Sequence, residues 1–210
     1  MRGRSQHQQQ HRSPTGSPTN RESGAIRIKL LGGFRVWVGP RLIEEDRWRL
    51  RNARSLLKLL ALAPGHRLHR EQVMEILWPD LGMRKASNNL HQCLHATRRA
   101  FEPSAPATAR ASGSAASASS GYLLLGDEQL SLCPDSPLWV DVEAFEEAAT
   151  TARHAQDPAA LRAAIDLYAG ELLPEDRYEP WLEEPRAQLR ELYLSLLLEL
   201  GALLEERRDF

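Results

Sequence analysis

The stretch from Ala86 to Phe101, ASNNLHQCLHATRRAF, constrains this chain more than any other. On an ideal helix, at roughly 100° per residue, Ala86, Leu90, Cys93, Leu94, Thr97 and Phe101 gather on one side. Asn88, Gln92, His95 and Arg99 line up opposite them, flanked by His91 and Arg98. One stripe needs a core to lie on. The other is a row of hydrogen-bond donors, and no Asp or Glu occurs between Asp80 and Glu102. An ordinary solvent-facing helix mixes charges of both signs, so this one is expected to present its amides and cations to an anion.

Three chemistries use these letters. Cys93 followed by five residues and then Arg99, with Trp78-Pro79-Asp80 upstream, has the spacing of a cysteine phosphatase. That chemistry needs a loop whose N–H groups curl round a phosphate beside a thiolate. A helix instead turns Cys93 into the apolar face, about 120° from Arg99, with no Gly to permit the curl. His91 and His95 share a face as metal ligands must, but Cys93 lies about 160° from both, and two imidazoles fall short of zinc's three or four ligands. Neither a catalytic nor a metal site is expected. Nucleic acid uses every polar residue: Asn and Gln pair bidentately with adenine, Arg with guanine or phosphate, and His with either. Arg84 and Lys85, with Ser87 as N-cap, would add positive charge and free N–H groups where a phosphate sits.

Charge supports that reading once it is divided along the chain. The net charge is −1, but residues 1–101 carry 19 Lys and Arg against 7 Asp and Glu, whereas residues 102–210 carry 8 against 21. The front half suits a polyanion and the back half does not. No apolar run approaches the roughly 18 to 20 residues that span a bilayer, so no membrane partner is expected. The N-terminal 24 residues are basic without an apolar core, and read as a disordered tail rather than a secretory signal. Two cysteines forty residues apart, Cys93 and Cys133, suggest free thiols in a reducing cytoplasm.

Secondary structure follows from periodicity. IRIKLL and FRVWV, from Ile26, alternate with Gly32-Gly33 between them and predict antiparallel strands. Helices are predicted over Asn52 to Ala63, stopped by Pro64-Gly65, and over Arg70 to Trp78, stopped by Pro79. Residues 103–121 are a Ser/Ala-rich flexible insertion. YLLLGDEQLSL then predicts a hairpin turning at Gly126-Asp127, and the chain from Asp141 is helical.

Strands, three helices and a hairpin resemble a winged helix-turn-helix of the OmpR type. RNARSLLKLLALAPG, LWPD and ASNNLHQCLHATRRAF are similar to the DNA-binding domain of SARP-type bacterial transcriptional activators. WVDVEAF, LYAGELLP and YEPWLEEPRAQLRELY are similar to the tetratricopeptide-like bacterial transcriptional activator domain (BTAD) that follows it in that family. The resemblance runs from about residue 25 to 210. It implies an α+β chain: a winged helix-turn-helix over 25–135, with a leading antiparallel sheet and a hairpin wing, then an all-α helical module over 136–210. That module stops one helix short of the family's repeat, so a truncated module is expected. Thr97 stands where the family usually has Leu before the Arg pair, which implies looser packing there. The acidic wing tip, Gly126 to Gln129, argues against minor-groove contact.

The resemblance implies a nucleoid-associated cytoplasmic activator that binds direct repeats in promoter DNA and helps recruit RNA polymerase. It would work as a homo-oligomer on DNA, with no cofactor and no enzymatic activity. Asn88, Gln92, His95 and Arg99 would enter the groove; Arg84, Lys85, Ser87, His91 and Arg98 would lie towards phosphates. The rival expectation is an adaptor whose winged helix binds protein and no DNA.

Overall fold

The structure is a computed structural model and describes residues 25–102 and 121–206. The tail at 1–24 and the insertion at 103–120 lie outside the described residues, as do 207–210.

Alternation places β1 (Ile26–Lys29) antiparallel to β2 (Arg35–Val38), with Ile28 registered on Val36. Ile26, Ile28 and Val36 point into the core. The intervening residues therefore share the outer face. β3 (Arg41–Leu42) continues the antiparallel meander. A fourth strand, β7 (Leu138–Val140), joins β1 in parallel and gives the sheet order β3-β2-β1-β7. Three residues are too few to show alternation, and the partner is more than a hundred positions away, so periodicity does not reveal this strand.

The helices follow the expected pattern with shifted ends. α1 (Arg51–Leu62) buries Ala53, Leu56, Leu57 and Leu60. A second short strand, β4 (Arg67–His69), leads into α2 (Arg70–Leu77), whose first turn is closed by His69 and Gln72: His69 Nδ1 accepts from Glu71 N–H, and Gln72 Oε1 accepts from His69 N–H. α3 runs from Met83 to Phe101 with Gly82 as its N-cap residue. Ser87 therefore sits inside the helix and does not cap it. Met83, Arg84, Lys85 and Ala86 are all good helix formers, and nothing among them halts propagation back to Gly82.

β5 (Leu123–Gly126) and β6 (Gln129–Leu132) form the hairpin, and β4 pairs with β6 to make a three-stranded wing. The turn centres on Asp127 and Glu128, both left-handed at φ 47° and 66°, one residue later than predicted. That is the backbone of a two-residue type I′ turn.

The back half is helical: α4 (Asp141–Ala155), α5 (Pro158–Leu167) and α6 (Glu183–Glu206). Gln156, left-handed at φ 49°, ends α4, and Asp157 caps α5 by accepting from Ala160 N–H. That two-residue link folds α5 back on α4, and α6 packs against α5, as in a tetratricopeptide-like module.

One continuous core joins the halves, from Ile26 to Leu196. Their seam is polar and largely paired; the exception is His66, whose Nε2 lies 3.2 Å from Glu143 Oε1 while its buried Nδ1 has no partner among the described residues. Asp141, 4% exposed, accepts from Leu30 N–H and Leu31 N–H at the end of β1. Burial pushes its carboxyl above the usual aspartate range, and those backbone bonds pull the other way. Gly32 (φ 76°) lies against Ala169 and Gly170; a Cβ there would come within 3.0 Å of Ala169 O. Lys58 of α1, 3% exposed, reaches Glu175 at 3.0 Å and Asp176, and lies 4.7 Å from the centre of the Phe34 ring. Burial opposes the Glu175 charge, but backbone N–H donors and Lys58 outweigh it and hold that carboxyl below its ordinary range. The LYAGELLP motif thus has a physical role: it docks the helical half on the Gly32-Gly33 turn.

Candidate nucleic-acid interface

α3 divides as its periodicity predicts. Ala86, Leu90, Cys93, Leu94, Thr97, Ala100 and Phe101 are buried. Arg84, Lys85, Asn88, His91, Gln92, His95 and Arg99 are exposed. Thr97 does not loosen the packing: its hydroxyl donates towards Cys93 O at 2.8 Å and Ala53 O at 3.3 Å, tying α3 to α1. Burial pushes the Cys93 thiol up to about 11, so it is protonated at neutral pH and no nucleophile. Among the described residues no group of three or more His, Cys, Asp or Glu converges as metal ligands would.

The structure brings Asn88, Gln92, His95 and Arg99 together on one outward face. His91 lies beside them, with Nδ1 2.9 Å from Ser87 O. Arg84 and Lys85 extend the face at the amino end. Ser87 and Arg98 are drawn inward instead. Ser87 Oγ accepts from Arg70 Nη2 at 2.8 Å, and Arg98 Nε donates to Leu123 O at 3.0 Å. Both link α3 to neighbouring elements, which leaves them at the edge of the face.

Three arginines outside α3 fix its pose. Arg41 donates to Phe101 O, and Arg47 donates to Arg99 O at 2.9 Å and Glu102 O at 2.7 Å. These cations serve the carbonyls left open at a helix C-terminus. At the other end Arg70 binds Ser87 with one nitrogen and Glu128 at the wing tip with the other, 3.2 Å away. Its backbone N–H also donates to Glu128 O at 2.8 Å. Arg70 thereby clasps the wing to α3 and holds Glu128 in its left-handed conformation. Sequence reading passes over Arg70, yet one signal exists: a cation at the first position of a helix opposes the helix dipole and calls for another reason to be there.

Three helices, the last two joined by the short turn at 78–82, and a hairpin beside the third define a winged helix-turn-helix, here followed by a tetratricopeptide-like module. Among solved structures the chain is similar to EmbR of Mycobacterium tuberculosis, determined in complex with a low-affinity phosphopeptide. The TM-score is 0.64 at 17% identity, over 81% of this chain and 43% of that one, so the chain spans less than half of EmbR's length. The likeness is one of fold. No family model and no curated protein matches the sequence. No helix among the described residues is long and apolar enough to cross a membrane.

Proposed function

We propose that this chain is a sequence-specific, DNA-binding transcriptional regulator of the SARP type, acting as an activator. α3 lies in the major groove; Asn88, Gln92, His95 and Arg99 read base edges, and Arg84, Lys85 and His91 meet phosphates. Ser87 and Arg98 serve mainly to set the pose of α3, with any phosphate contact made from the edge of the face. Docking on successive direct repeats near a promoter lets the acidic helical module face away from the DNA, towards neighbouring protomers and RNA polymerase.

The observation that carries this reading is the outer face of α3. It is a row of exposed donors without one carboxylate, and it stands rigidly on a buried apolar face. The acidic wing tip, with Glu128 already bound by Arg70, is held back from the duplex by charge.

Retention on immobilised random duplex DNA tests it. The chain should elute as salt rises, because each phosphate contact releases counterions. Selection from a random pool should then enrich one repeated motif. Flow-through at low salt would instead favour the adaptor.

A further inference from the structure

His91 stands on the outer face of α3 with one ring nitrogen already committed. Nδ1 lies 2.9 Å from Ser87 O, one turn back along the helix. A carbonyl oxygen can only accept, so the hydrogen of that bond is carried by Nδ1. A neutral imidazole has a single N–H, and in His91 it is turned inward to Ser87. Nε2 is then a bare lone pair at the other end of an exposed ring. Phosphate oxygens are acceptors as well, so the neutral ring has no hydrogen to offer one. A proton added at Nε2 supplies a second donor and a positive charge, and leaves the bond to Ser87 in place.

No carboxylate of the described residues answers that charge. On α3 the charged neighbours are Arg84, Lys85, Arg98 and Arg99. From α2, Arg70 is bound to Ser87 and to Glu128 of the wing, and Glu71 and Glu75 are exposed, as is Asp127 beside Glu128. α1, with Arg51, Arg54 and Lys58, meets the opposite, buried side of α3, where Thr97 bonds to Ala53 O. Of the described histidines only His66 and His69 lie within ion-pair distance of a carboxylate. His95, one turn beyond His91, is the contrast. It makes no side-chain hydrogen bond among the described residues, so either nitrogen can carry its N–H and donate without an added proton.

We propose that His91 meets the DNA backbone only as an imidazolium, so that the complex takes up a proton at Nε2 as it forms. This rests on the DNA-reading proposal above and adds a condition to it: one phosphate contact of α3 is present or absent according to pH. Histidine exchanges its charge between about pH 5 and 8, so the contact is made on the acid side of that range and lost on the alkaline side. Linkage is reciprocal: a proton that strengthens DNA binding is itself held more tightly in the complex.

Salt dependence counts the contact. Each phosphate met by a cation steepens the fall of log affinity with log salt by about 0.9, so a fourfold dilution of salt gains roughly 3.5-fold in affinity per contact. The full chain is titrated with one random duplex at about pH 5.5 and about pH 8, on either side of the middle of the histidine range. Wild type should exceed His91→Ala by one contact at the acid pH and match its slope at the alkaline pH. His91→Lys carries a fixed cation and should show the extra contact at both. His95→Asn should leave a pH-dependent contact in place. A wild type whose slope equals that of His91→Ala at both pH values, or a His91→Lys that adds no contact on the alkaline side, would overturn the proposal. The ring can also be observed without DNA: nitrogen NMR of the free chain at the alkaline pH should find the His91 proton on Nδ1. A proton on Nε2 there would overturn the proposal however well the chain binds DNA. Wild type that shows no salt-dependent retention at either pH would defeat the DNA reading itself, and this inference with it.

Discussion

Two polar regions of this molecule stand in contrast: the outer face of α3 and the seam between the winged and helical halves. At the seam Asp141, Lys58, Glu175 and the backbone N–H groups of Leu30 and Leu31 answer one another, with both Asp141 and Lys58 almost wholly buried. On α3, Asn88, Gln92, His95 and Arg99 are exposed in a row. These seam groups are satisfied and carry stability. Those of α3 are left open on a rigid support, where stability has no use for them. The contrast teaches that a polar side chain is read by what answers it, and it predicts that mutations at the two regions fail in different ways.

The largest effect is expected at Asp141. Asp141→Ala strands two buried N–H groups and unties β1 from α4, at a cost of roughly 2–5 kcal/mol, seen as a large fall in Tm. A near-wild-type Tm would break the contrast from the seam side. Lys58→Met removes the cation between Glu175 and Asp176 and should cost roughly 2–4 kcal/mol, less than a fully enclosed pair because Glu175 is 41% exposed. Denaturant unfolding measures it, and DNA affinity of the folded fraction should not change.

Arg70→Ala sharpens the comparison, since Arg70 belongs to both kinds of region. It should cost only about 1 kcal/mol, because Glu128 is 56% exposed. It should nonetheless weaken DNA binding by releasing the wing and the start of α3. The smallest effect is that of pH. Glu175 has its carboxyl held below the ordinary 4.5, so its contribution is present above that value and lost as pH falls through the lower folded value. Wild type should therefore lose more Tm than Lys58→Met on acidification below 4.5. Asp141, shifted upward, acts with the opposite sign in both proteins and cancels from the comparison.

Much of α3 is legible in the sequence because its information is local. A period of 3.6 residues sorts Leu90, Leu94 and Phe101 from Gln92 and Arg99 without knowledge of any other element. The shift of the N-cap from Ser87 to Gly82 shows the limit: local preference for Ser as a cap gives way to four good helix formers before it. The seam is not legible in this way. Leu30 and Asp141 are 111 positions apart, and Lys58 and Glu175 are 117. β4 and β7 are three residues each, too short to alternate. Resemblance of motifs marks WVDVEAF and LYAGELLP as belonging together. Only the fold gives the reason, which is that Asp141 ties off β1 and Gly170 lets the backbone approach Gly32.

The most direct test of the reading face is the ratio of affinities for the selected motif and for random duplex, measured at one salt concentration for wild type and for Gln92→Ala/Arg99→Ala. Each bidentate base contact is worth about 1–3 kcal/mol of discrimination, so the ratio should fall roughly tenfold or more while the unfolding free energy stays within about 0.5 kcal/mol of wild type. An unchanged ratio in a folded double variant would show that the specificity, if any, lies elsewhere than on the outer face of α3.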